Sequence, residues 1–456
     1  MKIKGYLVFA TATTAIAGYL YGYDTGIISS ALLPISSQFH LEHTMQEVVA
    51  SAILVGAITG ALTCGYLFER IGRKKMIITL AAIYVVGALL SSIAPNAILL
   101  ILARIFLGFA VGGSSQTIPV YVAEVAPAEG RGHFVTSFNV AIGLGIVTAN
   151  TVGATLHQLS WRWMIAAASA PALVFLFCSL KLPESSRWLV SQGRNDQARE
   201  SLASVRDESA DLDGELHEME EIVKREKESA VKGWKGLTED WVRPATIAAL
   251  GIAAFTQLTG IEMMVYYAPT LLTGVGYSHQ GALRSSLGLA IVYAVMTTTG
   301  LFLVERVGRR RLTLWMLPGA AVCLFLLGVV LAFHLGDKSH SWIVVVLLLS
   351  YMFFNAGGIQ VVGWLSGSEM YPLAVRGAGS SAQAAMVWGA DLLVTVTALT
   401  LVHVLTTGGT MWVYAGMNIA AFFFTMRFFP EVGGKSLEEV ENLLHEGQFA
   451  PSQQAA

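Results

Sequence analysis

The chain has 456 residues, of which 54% are apolar and only 13% charged, against a charged share of about 25% in ordinary soluble proteins. Too few charges remain to coat the several water-soluble domains that the length alone would allow. The 29 Lys and Arg against 31 Asp and Glu leave no global basic field, which argues against a nucleic-acid partner.

Met1 to Lys4 are basic, and the apolar stretch after them leads into polar sequence without a small-residue cleavage site. This reads as a retained first span rather than a removed signal. Stretches able to cross about 30 Å of hydrocarbon, which takes roughly 20 helical residues, occur at 6–30, 47–68, 76–94, 98–121, 134–156 and 162–181. They return at 244–268, 283–304, 313–333, 342–366, 379–402 and 411–429. The runs lack period-two alternation, and lipid-facing backbone must bond within a helix or a closed barrel. The expected fold is therefore an all-α membrane protein with twelve transmembrane helices.

Residues 190–240 turn polar, with the run from Asp211 to Glu228 rich in Glu, Lys and Arg. Pairs at i,i+4 such as Glu220 with Lys224 support short surface helices, which serve either as a solvated linker or as a docking segment. The expected organisation is a six-helix bundle at 1–189, a linker at 190–240, a second bundle at 241–435 and a tail at 436–456. Cys64, Cys178 and Cys323 sit far apart inside apolar runs, a pattern of buried thiols with neither metal-site nor disulfide spacing. No cofactor is implied.

Lys and Arg in short loops favour the cytoplasmic side. One set of loops holds Arg70, Arg73, Lys74, Lys75, Arg131, Arg306, Arg309, Arg310, Arg311 and Arg376, while the opposite set holds only Arg162, Arg284 and Lys338. Both termini are expected in the cytoplasm, on a multi-pass protein of the cell membrane.

The halves repeat each other. FERIGRKK returns as VERVGRRR with Glu69 and Glu305 236 residues apart, AEVAPAEGRG returns as SEMYPLAVRG with Arg131 and Arg376 245 apart, and PESSRWL at Pro183 returns as PEVGGKSL at Pro430. Duplicated six-span halves place a substrate site between them near the bilayer midplane, and their rocking gives alternating access.

With GYDTGIISSAL in the first span, the two GR-basic loops, PVYVAEVAPAEGRG, PESSRWL, YYAP and the terminal PEVGGKSLEEVE, the chain resembles the sugar-porter branch of the major facilitator superfamily over nearly its whole length. The resemblance implies two pseudo-symmetric six-helix bundles. Paired charges then sit at cytoplasmic helix ends: Glu69, Arg73, Glu124, Arg131 and Glu184 with Arg187 in the first half, and Glu305, Arg309, Glu369, Arg376 and Glu431 in the second. They act as gating ion pairs that break on opening, or as interfacial anchors. Asp24 and Arg104 are charges at membrane depth, which is costly unless they pair or line a pathway. The resemblance maps them onto the carboxylate of proton-coupled members and its fourth-span partner; the other reading is a static ion pair.

Gln257, Tyr266, Tyr267, Trp364 and Trp388 match family substrate contacts. Departures fall in the pocket. Thr256 replaces one of two glutamines, Glu262 an asparagine, Asn139 the longer glutamine of the fifth span, and Tyr293 an eighth-span asparagine. Gln360 lies where Trp-Gly-Pro is usual, and Asp391 where an asparagine follows the tryptophan. Ionised Glu262 and Asp391 disfavour an anionic solute. Glu262 is open to three readings: hydroxyl acceptor, second proton site, or vestibule carboxylate.

The resulting expectation is a transporter that couples a proton to a sugar, polyol or related hydroxylated solute, with the lipid bilayer around it and no obligatory protein partner evident. The alternatives are transport of an organic acid or a cationic solute, and a transporter-like sensor. No Walker loop, nucleophile elbow, metal-ligand cluster or dinucleotide fingerprint supports an enzyme.

Overall fold

The computed structural model describes residues 5–127, 131–156, 158–207, 210–228, 233–333, 342–372, 375–435 and 437–451. Lys338 and the side chain of Arg131 lie outside that description. Among the described residues, ten helices are each long and apolar enough to cross a membrane. The longest, Arg376–Phe428, turns back at Thr406, whose φ of 66° and ψ of 166° are non-helical, and so supplies the eleventh and twelfth spans. The first span, Gly5–Phe39, buries Thr, Ser, Tyr and Gly as well as apolar residues. Together these make twelve helical spans among the described residues.

The helices run past the apolar stretches that announce them. The second span is His43–Ile71 rather than 47–68, and the eighth is His279–Val307 rather than 283–304. Backbone hydrogen bonding continues through polar end turns, and side-chain caps close the starts of spans four and eight. Thus Asn96 accepts from the Leu99 amide (3.0 Å) and Ser278 from the Gly281 amide (3.1 Å). Gly72 and Gly308 share φ 94° between spans two and three and between spans eight and nine, a backbone that side chains rarely adopt.

Three spans are broken, a feature absent from the sequence expectation of continuous helices. The sixth divides into Trp161–Ala166 and Ser169–Ser179, just before Pro171, which lacks the N–H and crowds the preceding turn. The seventh divides into Arg243–Leu258 and Ile261–Gly274 around Gly260 at φ 97°. The tenth divides into Trp342–Gly357 and Ile359–Glu369 at Gly358. Broken backbone survives at membrane depth only where protein groups re-satisfy it. Here Tyr351 Oη and Asn418 Nδ2 donate to the Thr259 carbonyl (2.9 and 3.0 Å), and Asn355 Nδ2 donates to Thr259 Oγ1 (2.9 Å).

Within the first half, spans two and four and spans one and five pack closely. Glycines at 56, 60, 108 and 112 bring spans two and four so near that an added Cβ would strike the facing backbone, the small-residue packing that suits helices in lipid. Between halves, span two meets span eleven, span five meets span eight, and span one meets the Ile261–Gly274 half-helix. The two-eleven and five-eight seams exchange under the duplication, as a pseudo-twofold requires. In the segment between the halves, helices Asn195–Val205 and Leu212–Glu228 pack against each other. Buried Arg206 fastens them, reaching Glu215 (2.6 Å) and the Val125 carbonyl (2.6 Å), so this segment docks rather than floats.

Candidate functional site

At the end bearing the duplicated loops, each half builds the same charged knot. Arg73 Nε and Nη2 donate to both oxygens of Glu124 (3.0 and 2.9 Å), and Nη2 also meets Glu69 (2.8 Å). Arg309 repeats this with Glu369 (3.0 and 2.8 Å) and Glu305 (2.6 Å). Forked guanidinium contacts of this kind are the stronger class of ion pair. Glu184 accepts from the Lys74 amide (3.0 Å), while Glu431 accepts from the amides of Arg309 (2.9 Å) and Arg310 (3.0 Å). Each carboxylate thus caps the exposed N–H groups that open span three or span nine. Both knots tie helices of one half together, and neither bridges the halves among the described residues. Arg187 lies in the short helix Ser186–Ser191 after Glu184, and Arg376 opens span eleven.

Deeper in the first half, Asp24 Oδ2 stands 3.7 Å from Arg104 Nη1, with both side chains buried. Arg104 is anchored by donating to the carbonyls of Val49 (3.0 Å) and Ala50 (3.3 Å) on span two. Asp24 Oδ2 and Arg104 Nη1 otherwise lack hydrogen-bond partners. The pair is in Coulomb contact yet not locked by a short bond, so a small helix displacement changes its energy.

Between the halves lies a polar, aromatic cluster. Trp388 of span eleven meets Tyr21 of span one (ring centroids 5.2 Å), contacts Trp364 edge-on (5.9 Å), and donates from Nε1 to Ser115 of span four (3.3 Å). Gln116 reaches Ser381 nearby (3.3 Å). Gln360 Nε2 donates to Tyr293 (3.3 Å), and Asp391 accepts from Thr395 Oγ1 (2.9 Å). Glu262, Asp391, Tyr266, Tyr293 and Tyr21 are within electrostatic reach of one another. Gln257 is buried on the other side of the Gly260 break from Glu262. A small pocket lined by Tyr293, Asn150 and Ile146 lies on the seam.

Other expected contacts are engaged differently. Thr256 donates to the Ile252 carbonyl (2.8 Å) and lies near that of Ile359 (3.4 Å), fastening the broken seventh and tenth spans. Tyr267 donates to the Thr395 carbonyl (2.9 Å), bracing the turn that presents Asp391. Asn139 is half-buried on span five, apart from the hydrogen-bonded cluster among the described residues.

A contact at the opposite end was not among the expected site residues. Glu47 of span two, 1% exposed, accepts from the Thr400 amide (2.7 Å) and the Thr400 hydroxyl (2.8 Å) on span eleven, directly across the seam between halves. An acidic residue at the edge of an apolar run was the available signal. Its partner, a threonine amide, carries none. Ser115, Tyr21 and the staple of Tyr351, Asn355 and Asn418 were missed for the same reason.

Residues 10–444 match the family model described as Sugar (and other) transporter. The chain is 34% identical over 438 residues to the major myo-inositol transporter IolT of Bacillus subtilis, covering 94% of this chain and 92% of that one. It is 33% identical over 451 residues to the galactose-proton symporter of Escherichia coli, covering 98% and 96%. A solved structure of the proton:xylose symporter XylE with 6-bromo-6-deoxy-D-glucose superposes with a TM-score of 0.80 at 25% identity, over 96% of this chain and 99% of that one. With the duplicated halves, the twelve spans and the paired charged knots, these matches place the chain in the sugar transporter family of the major facilitator superfamily, a membrane transporter and not an enzyme.

Proposed function

We propose that the protein is a proton symporter of a small polyhydroxylated solute, moved by alternating access between bundles at 1–189 and 241–435 that the segment 190–240 joins. The observation that carries this reading is the buried Asp24–Arg104 pair beside a polar seam between the halves. A permanent guanidinium favours the ionised aspartate when close, and helix motion that separates them favours its protonated form. Protonation therefore tracks conformation, which is what coupling demands. The relatives described as a galactose-proton symporter and a proton:xylose symporter support the chemistry.

The solute is held by Gln257, Glu262, Gln360 and Asp391, with Trp364 and Trp388 offering flat apolar faces to a ring. Tyr266, Tyr293 and Asn139 line the approach, while Thr256 and Tyr267 hold the broken helices in shape. The loop-rich charged end faces the cytoplasm with both termini, in the cell membrane, as the asymmetry of Lys and Arg supports. There the knots of Glu69, Arg73, Glu124 and Glu184 and of Glu305, Arg309, Glu369 and Glu431, with Arg131, Arg187 and Arg376 at neighbouring helix ends, keep each half rigid and set how the halves meet when that side closes. Glu47 and Thr400 close the outer side.

The test is uptake by purified protein in liposomes under an imposed inward proton gradient. Hexoses, pentoses and inositols should be screened. At least one should accumulate above its external concentration, and dissipating the gradient with an ionophore should abolish that accumulation. Equal accumulation with and without the gradient would reject coupling.

A further inference from the structure

Glu262 and Asp391 pose an electrostatic problem that the described residues leave uncompensated. The two are 4% and 2% exposed and near enough to repel each other. Asp391 receives one hydrogen bond, from Thr395, and no donor reaches Glu262 among the described residues. The neighbouring cation, Arg104, is committed to Asp24 and to two span-two carbonyls. Two ionised carboxylates this buried are costly, so either protons or a bound cation must balance them.

The rest of the cluster points the same way. Gln257 and Gln360 are 1% and 3% exposed, and the Oε1 atom of each is buried without a donor. Gln360 spends its amide on Tyr293, which is within electrostatic reach of both carboxylates. Two unsatisfied amide oxygens therefore share the cluster with the carboxylates, and its remaining donors, the tyrosine hydroxyls and the Gln257 amide, carry no positive charge. Glu262 also occupies the first turn of the half-helix Ile261–Gly274. That positive helix end stabilises its ionised form and is no longer free to receive an anion. Trp388 and Trp364 stand beside this space, and indole faces attract cations as well as sugar rings.

We propose that the solute carries a protonated primary amine among its hydroxyls, as an amino sugar or aminocyclitol does, and that Glu262 and Asp391 seat the ammonium. This rests on the reading of the seam between the halves as the solute site. The ammonium donates up to three hydrogen bonds and replaces one of the protons otherwise needed to neutralise the pair, while hydroxyls satisfy Gln257 and Gln360.

Calorimetric titration of the purified protein with matched solutes tests the idea, at a pH where the amines are protonated. The pairs are glucosamine against glucose, with N-acetylglucosamine as the neutral derivative, and an aminodeoxyinositol against myo-inositol. In at least one pair the amine should bind about tenfold more tightly or better, a difference of about 1.4 kcal/mol. Acetylation should remove that advantage. The double variant Glu262→Gln and Asp391→Asn should lose the amine preference, and its thermal unfolding midpoint in detergent, measured separately, shows that it is folded. Equal or tighter binding of the neutral member in both pairs would overturn the proposal and leave symport of a neutral polyol standing. Stabilisation by sodium chloride over potassium chloride, with no gain from the amine, would mark a metal-ion site and also overturn it. If no solute binds and none accumulates under a proton gradient, the reading of the seam as the solute site falls as well.

Discussion

At the scale of single residues, Gly72 and Gly308 do the same work in each half. Both hold a backbone conformation near φ 94° and leave room for a carboxylate, because a Cβ there would collide with Glu184 or Glu431. Replacing Gly308 with Ala should therefore cost about 1–3 kcal/mol from backbone strain alone. A lowered unfolding midpoint in detergent would show it, and Gly72→Ala should behave alike. A midpoint unchanged in both would mean that the loops relax at no cost. The charges at these ends were legible in the sequence, since duplication singled out Glu69, Arg73, Glu305 and Arg309 with their partners. That each knot stays inside one half was not legible, because motif spacing gives helix ends and not which neighbouring helix they face.

At the scale of elements, the break in span seven depends on side chains far away in sequence. Tyr351 and Asn418 both donate to the Thr259 carbonyl, so losing one leaves the other. Tyr351→Phe alone should cost about 0.5–1.5 kcal/mol. Adding Asn418→Leu strands a buried carbonyl, and the pair should cost more than the sum of the single variants. A double-mutant cycle in denaturation that proves additive would contradict this staple. The sequence carried a weak sign of the break in Leu258-Thr259-Gly260, but hydropathy reads the stretch as one continuous span. Its geometry follows from three donors on spans ten and twelve, which no local pattern records. The position of Glu262 at a half-helix start is a consequence of that break.

The seam between Glu47 and Thr400 makes a second prediction at this scale. Glu47 is bound through two oxygens to the Thr400 amide and hydroxyl, and the equivalent position 236 residues on is the apolar Leu283. Only one of the two pseudo-symmetric seams thus carries a carboxylate latch. Glu47→Ala should shift the protein toward states open at that end. Spin-label distances between the Glu47 end of span two and the Thr400 end of span eleven should lengthen. An unchanged distance distribution would reduce Glu47 to a packing residue.

At the scale of the whole molecule, twelve spans, two related halves and the family followed from hydrophobic length and repeated motifs, because lipid imposes one length and gene duplication leaves its spacing. The interior of the seam was less legible. Among the residues expected to touch solute, Thr256 and Tyr267 instead spend their hydroxyls on the scaffold. That difference depends on rotamers and neighbours rather than on residue type. The central claim is that Asp24, held near Arg104, is where proton binding meets conformational change. Its most direct test compares wild type with Asp24→Asn in liposomes, measuring both accumulation under a proton gradient and counterflow of labelled solute without one. The variant is expected to lose accumulation and retain counterflow, whereas accumulation at the wild-type level would contradict the claim.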